Sequence, residues 1–399
     1  VRLFKTTIVS ILAMSASAAW AGSLQGTVLY PVTLPNGCVD GGPSGYASEA
    51  AGGQVVGSGG YGSATEVVYH ALLWSGTANS VVDLNPSGFD DSYAYATSGS
   101  QQVGYGWGSA TGDNSHALLW SGTPGSVVDL NPSGFTYSGA NATNGSQQVG
   151  EAEGSATGID AMLWSGTASS AVDLNPRGFY DSEAWGISGS HQVGYGYVNA
   201  TDYPHALLWS GTARSAVDLN PSGFTESYAY GTSGSQQVGY GYASATASDP
   251  YALLWSGTAA SAVDLNPSGC TDSQAYGTNG SEQVGWGWGL ATRYDEHAML
   301  WSGTAASAVD LGSLLPLPPG SNSWADSIDS LGDVFGVAEV TYDNYTGYFA
   351  VEWSTAVPEP VSLSFFGLTA LGLLARRRRN VGGATKGDIQ DFVGLAHFS

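Results

Sequence analysis

Four histidines, His70, His116, His205 and His297, each stand four residues ahead of a tryptophan. Asp160, Tyr251 and Phe349 hold the same place in other copies of the segment. Imidazoles and a carboxylate gathered on one axis would make a transition-metal site. Their exchange for Tyr and Phe argues instead for strand-end residues that hydrogen-bond locally, and no metal is expected. Six aspartates, Asp83, Asp129, Asp173, Asp218, Asp264 and Asp310, recur before a leucine. Such carboxylates would suit Ca²⁺, yet none lies in a D-x-D-x-[DN]-G loop, so each is expected to accept bonds from the turn that follows it. A third candidate is a set of paired aromatics: Tyr105 with Trp107, Tyr195 with Tyr197, Tyr240 with Tyr242, and Trp286 with Trp288. Members of a pair are two residues apart, so in a strand they share one face. These faces could stack on sugar rings or pack between neighbouring sheets. In one copy the pair is Glu151 and Glu153. Two carboxylates about 7 Å apart fit glycosidase spacing, but no supporting constellation accompanies them. The chain has no G-x-S-x-G, H-E-x-x-H, Walker loop or C-x-x-C, the motifs that would announce common chemistries. No catalytic residue and no cofactor are expected.

These residues recur because the chain repeats. Trp74, Trp120, Trp164, Trp209, Trp255 and Trp301 are 46, 44, 45, 46 and 46 residues apart. Four segments return in each period, exemplified by HALLW, SVVDLNPSG, SYAYATS and QQVGYGWG. Each is short and punctuated by Gly, Pro, Asn or Ser, which reads as a strand rather than a helix. In NPSG, Pro86 and Gly88 suit positions i+1 and i+3 of a type I turn. Degenerate copies complete the series: PVTLPNGCVD and SEAAGGQVVG near the start, and AVDLGSLL, SWADSI, LGDVFGVAEV and YFAVEW near the end. The tally is seven of each segment. Four strands in about 46 residues, seven times over, predict an all-β, seven-bladed β-propeller over residues 22–356. A β-solenoid is the alternative, though it needs capped ends. The first unit lacks a preceding HALLW and the last ends on one, so N-terminal strands and the Trp353 strand are expected to share a blade and close the ring. Cys38 and Cys270 both replace the Phe of PSGF. Equivalent places in separate blades exceed disulfide reach, so free thiols are expected.

The composition suits this architecture. The 399 residues include 58 glycines, and only 11% are charged, against about a quarter in ordinary soluble domains. Apolar residues make up 42% and aromatics 12%, enough to bury a core and exclude general disorder. Between residues 22 and 356 thirty acidic residues face only Arg177, Arg214 and Arg293, a net −27. Nucleic acid is excluded as a partner, because its recognition needs a basic footprint.

The two ends carry an address. Arg2 and Lys5 precede the apolar stretch Ile8 to Ala19, and Ala19-Trp20-Ala21 is a small-x-small cleavage site. Residues 1–21 read as a secretory signal peptide cut between Ala21 and Gly22, which implies the Sec machinery and signal peptidase as partners. Near the other end, Val357-Pro358-Glu359-Pro360 precede an apolar run over 361–375, and Arg376, Arg377, Arg378 and Arg379 follow. Fifteen residues make a helix of about 22 Å, short for a hydrocarbon core of about 30 Å. Snorkelling arginines and local thinning make up the difference. The arginines should stay cytoplasmic, leaving the body outside. A C-terminal transmembrane helix is therefore expected, and residues 380–399 form a tail with no clear period.

Residues 357–379 resemble the PEP-CTERM sorting signal of Gram-negative bacteria that make exopolysaccharide. The resemblance implies processing by a membrane exosortase and delivery from a membrane-anchored precursor to the cell surface or extracellular matrix. In that family the chain ends soon after the arginines, whereas here the tail follows. The repeats resemble the HAF family of extracellular repeats in His70-Ala71-Leu72-Leu73-Trp74, Asp310-Leu311-Gly312 and Gln54-Val55-Val56-Gly57. Most copies write DLN for the family's DLG. Together these features lead to an expected non-enzymatic surface or matrix protein that contacts exopolysaccharide or protein partners. The alternative is a glycan-active hydrolase or lyase on a propeller scaffold.

Overall fold

The computed structural model describes residues 24–28, 38–40 and 54–355, apart from short stretches at 64–65, 76–79, 155–157, 200, 202, 245–248 and 343–344. The described residues fall in one compact unit, a seven-bladed β-propeller of four-stranded antiparallel sheets. The signal peptide over 1–21, the sorting signal over 357–379 with its span at 361–375, and the tail lie outside the described residues. Among the described residues no helix is long and apolar enough to cross a membrane.

One blade shows the plan. Its inner strand Asp91–Thr97 pairs with Gln102–Trp107, which pairs with His116–Trp120, which pairs with the two-residue outer strand Val128–Asp129. Inner strands of consecutive blades approach closely: a Cβ on Gly186 would stand 2.4 Å from the Tyr230 carbonyl oxygen of the next blade. The chain's beginning completes its end. Leu24–Val28 is the outer strand of the last sheet, with Gly26 opposite Trp353 in Tyr345–Thr355. The closing strand lies upstream of PVTLPNG, the segment that sequence matching aligns with VVDLNPSG.

Among the described residues the core sits between blades, with one apolar cluster at each of six junctions. Leu163 and Leu174 of one blade pack with Leu207 and Trp209 of the next, and Leu84 packs with Leu118 and Trp120. In HALLW both faces are buried: Ala117, Leu118, Leu119 and Trp120 are 5% exposed or less. Each such aliphatic side chain contributes about 1.5–3 kcal/mol by leaving water. A junction needs one Trp and its leucines, which is why the segment repeats. Six buried indole N–H groups, from Trp74 to Trp301, have no hydrogen-bond partner, whereas Trp353 Nε1 donates to the Leu311 carbonyl at 2.9 Å.

The NPSG turn differs from expectation by one residue. Phe89 N donates to the Pro86 carbonyl at 3.2 Å, and Gly88 has φ +88°. Pro86 is thus position i and Gly88 is i+2, where a type II turn requires positive φ and therefore favours glycine.

Candidate functional site

The repeated His and Asp form one network per blade. The Nδ1 of His70, His116, His205 and His297 pairs with Asp83, Asp129, Asp218 and Asp310 at 2.7 to 2.9 Å. The same aspartates accept from the next turn, as in Asn131 N to Asp129 Oδ1 at 2.8 Å. Asn131 Oδ1 then accepts from the Ser138 hydroxyl, and that hydroxyl accepts from Ala117 N of the preceding blade. The network ties the outer turn to the next inner strand. Asp160, which replaces His, accepts instead from Asn175 Nδ2 at 2.8 Å. These residues are engaged in joining blades rather than gathered on a common axis. Cys270 carries no disulfide, and burial pushes its thiol up to about 11. The side chain of Cys38 lies outside the described residues.

The inner strands carry a feature that the repeat conceals. Six of them contain a β-bulge at the same place, between Ala94 and Ala96, Ala140 and Ala142, Ala184 and Gly186, Ala229 and Gly231, Ala275 and Gly277, and Ala325 and Ser327. The extra residues are Tyr95, Asn141, Trp185, Tyr230, Tyr276 and Asp326. A bulge re-aims the side chain it carries. These positions, and the ones two residues before them (Tyr93, Gly139, Glu183, Tyr228, Gln274 and Trp324), vary from unit to unit. The intervening Ser and Ala hardly change. One face of the inner strands therefore carries side chains that change from blade to blade.

That face is a band of aromatic rings. The Trp185 and Tyr230 centroids lie 5.6 Å apart, and Tyr230 and Tyr276 5.4 Å, spanning three consecutive blades. The second-strand pairs join it, each on one face as expected: 6.0 Å for Tyr105 and Trp107, 6.1 Å for Tyr195 and Tyr197, and 5.9 Å for Tyr240 and Tyr242. Their first members pack on the inner strands, Tyr105 at 5.0 Å from Tyr93 and Tyr240 at 4.9 Å from Tyr228. Tyr195 is buried against Tyr228 of the next blade at 4.9 Å. Trp286 Nε1 donates to the Tyr276 hydroxyl, and Trp288 Nε1 to the Tyr294 carbonyl at 2.8 Å. Trp107, Tyr197, Tyr242, Trp286 and Trp288 remain half-buried, with part of each ring open to water.

Polar groups interrupt the band at two neighbouring blades. Glu183 Oε2 accepts from the Tyr195 hydroxyl at 2.7 Å and from Trp185 Nε1 at 3.1 Å. Glu151 Oε2 accepts from Asn141 Nδ2 at 2.6 Å. Asn141 Nδ2 also donates to the Ala184 carbonyl at 3.1 Å, crossing to the Glu183 blade. Burial, and then the negative charge of Glu183, push the Glu151 carboxyl up to about 8. Burial alone raises Asp326 to about 8. The charge that acts on Glu151 is thus that of Glu183 on the next blade, while its hydrogen-bond partner is Asn141. Glu153, two residues on, pairs across the strand with Tyr137 and is exposed. The sequence singles out the second-strand aromatics but passes over their inner-strand counterparts. Their signal is a fixed Ser-x-Ala-x-Ala/Gly frame with a varying x.

No family model matches the chain, and no curated protein matches it in sequence. Solved structures do match in shape. The β-propeller domain of the trilobed protease from Pyrococcus furiosus, described as having an open velcro topology, aligns with a TM-score of 0.51 at 11% identity, covering 78% of this chain and 95% of that one. Oligogalacturonate lyase from Vibrio parahaemolyticus aligns with a TM-score of 0.52 at 11% identity, covering 84% and 94%. At such identity the likeness is one of fold, and the fold is the β-propeller.

Proposed function

We propose that this protein is exported, sorted by an exosortase to the cell surface or matrix, and binds exopolysaccharide at the inner wall of its ring without turning it over. One observation carries the binding half. Six bulges at one place in the repeat present Tyr95, Asn141, Trp185, Tyr230, Tyr276 and Asp326, four of them aromatic. Aromatic faces with a few placed hydrogen-bonding groups are what a ligand site needs, and Asn141, Glu151 and Glu183 supply those groups. The export half rests on the signal peptide, the Val357-Pro358-Glu359-Pro360 motif with Arg376 to Arg379, and the resemblance to HAF repeats. Intact-mass analysis of fractionated cells, with and without the exosortase, tests it. The expected mature form lacks Arg376 to Arg379 only when the exosortase is present. A surface form that keeps them in both strains contradicts the sorting.

The second reading is a glycan-active enzyme. Its support is the Glu151–Glu183 pair: one carboxyl holds its proton to about pH 8 while a neighbouring acid accepts two hydrogen bonds. Pairs whose environments separate their roles in this way serve acid–base chemistry. The lyase among the structural neighbours shows that the scaffold can host glycan chemistry, but fold does not determine activity.

A further inference from the structure

Three arginines are the only Lys or Arg residues between 22 and 356. The fold brings two of them, Arg177 and Arg214, to the wall of one open groove of about 640 Å³. Arg177 stands in the turn that leads into the inner strand Phe179–Ser188. Arg214 stands in the short 3-10 turn Ala213–Ser215, between the third and outer strands of the same blade. Both replace small uncharged residues of the repeat. Ser87, Ser133, Ser222 and Ser268 hold the place of Arg177, and Gly125, Ser169, Ala260 and Ala306 hold that of Arg214.

Both arginines are exposed, and neither forms an ion pair with a described carboxylate. The one acid in the lining, Asp218, is already engaged: Oδ2 pairs with His205 Nδ1 at 2.8 Å and Oδ1 accepts from Asn220 N at 2.8 Å. Two unpartnered guanidiniums in a body of net −27 are free to take an outside anion. Of the apolar residues in the lining, Phe179 is half-buried, while Pro176 and Leu207 are buried. A guanidinium is a planar fork that matches a carboxylate with two parallel bonds. The open part of the Phe179 ring suits the C–H face of a sugar, and the volume falls within the range of small-ligand sites. The surrounding acidic field repels a densely charged polymer and admits a ligand whose charges are sparse.

The geometry points to a carboxylate-binding groove on this blade, whose ligand is a uronic-acid residue of a glycan. The groove is separate from the inner wall, so either site can fail without the other. The test is titration calorimetry of the full-length chain with a glucuronate-bearing oligosaccharide and with a neutral glucose oligosaccharide of equal length. Arg177→Ser and Arg214→Ala install residues that other blades carry in the same turns, so the fold is kept. The glucuronate oligomer is expected to bind at least about tenfold tighter than the neutral one, and each single variant to lose about tenfold of that affinity, the scale of one charged hydrogen-bonding group. The double variant should show no preference between the two. Equal binding of both oligomers by the parent, or a preference that survives in the double variant, overturns the proposal. So does displacement of the oligomer by acetate at equal concentration, which would mark an adventitious anion only.

Discussion

Gly239→Ala is expected to destabilise the propeller by about 3 kcal/mol or more, at the upper end of the usual overpacking range. A Cβ there would stand 1.8 Å from the Tyr228 carbonyl oxygen and 2.9 Å from the Ala229 Cα. Both obstacles are backbone, so no side-chain rotation relieves them. The crowding comes from the bulge. Gly239 pairs with Ala229, the last residue in register before Tyr230 is squeezed out of the ladder. Gly104, Gly150, Gly194, Gly285 and Gly336 stand opposite the other five bulges, and each would bring a Cβ to 1.9 Å from a carbonyl oxygen. The glycine of the QVG segment is therefore a condition for the bulge, and the bulge for the placement of the inner-wall residue. Gly125→Ala is the control. Nothing lies within 4 Å of its Cβ position, so the change should be neutral or stabilising by about 0.5 kcal/mol, through loss of unfolded-chain entropy. Urea unfolding of both variants checks the contrast. A Gly239→Ala protein as stable as the parent would mean that the bulge does not depend on glycine.

The second large effect is a dependence of stability on pH. The Glu151 carboxyl rises from its ordinary 4.5 to about 8 in the folded protein, first through burial and then through Glu183, against an opposing bond from Asn141. Between these values the folded chain keeps a proton that the unfolded chain has lost. Stability is then full below pH 4.5, falls as pH rises through the window, and has lost this contribution above pH 8. A one-proton difference sets the slope at about 1.4 kcal/mol per pH unit at most. Asp326, raised from 3.8 to about 8 by burial, acts with the same sign. Glu151→Gln preserves shape and an acceptor for Asn141 but carries no titrating proton. Its unfolding midpoint should vary less between pH 5 and 8, and should exceed the parent's above pH 8. A pH profile parallel to the parent's would place Glu151 in water rather than in the wall.

The ring is legible in the sequence because its core is built from similar clusters at successive junctions. The Trp spacing reports the blades, and Gly, Pro and Asn mark the turns between strands. The Trp353 copy, joined by an N-terminal strand, even indicates how the ring closes. The inner wall is not legible in the same way. A bulge is a property of register between two strands, and no residue of SYAYATS announces it. The variation at 93 and 95 and their counterparts looks like drift in a repeat until the structure places all six bulges on one wall. In the sequence Glu151 pairs with Glu153, because two residues apart in a strand share a face. Its real neighbour is Glu183, which only the apposition of blades brings near. Arg177 and Arg214 similarly look like isolated exceptions until the fold sets them on one groove.

The most direct test of the inner wall as a ligand surface is titration calorimetry with fragments of the exopolysaccharide made by the producing cells. The parent, Trp185→Ala with Tyr230→Ala, and Trp185→Phe with Tyr230→Phe should be compared at matched thermal stability. Losing two stacking rings should weaken binding by about tenfold or more, while the phenylalanine pair, which keeps the rings, should stay within a few-fold of the parent. An alanine pair that is folded and binds as the parent does would contradict the assignment.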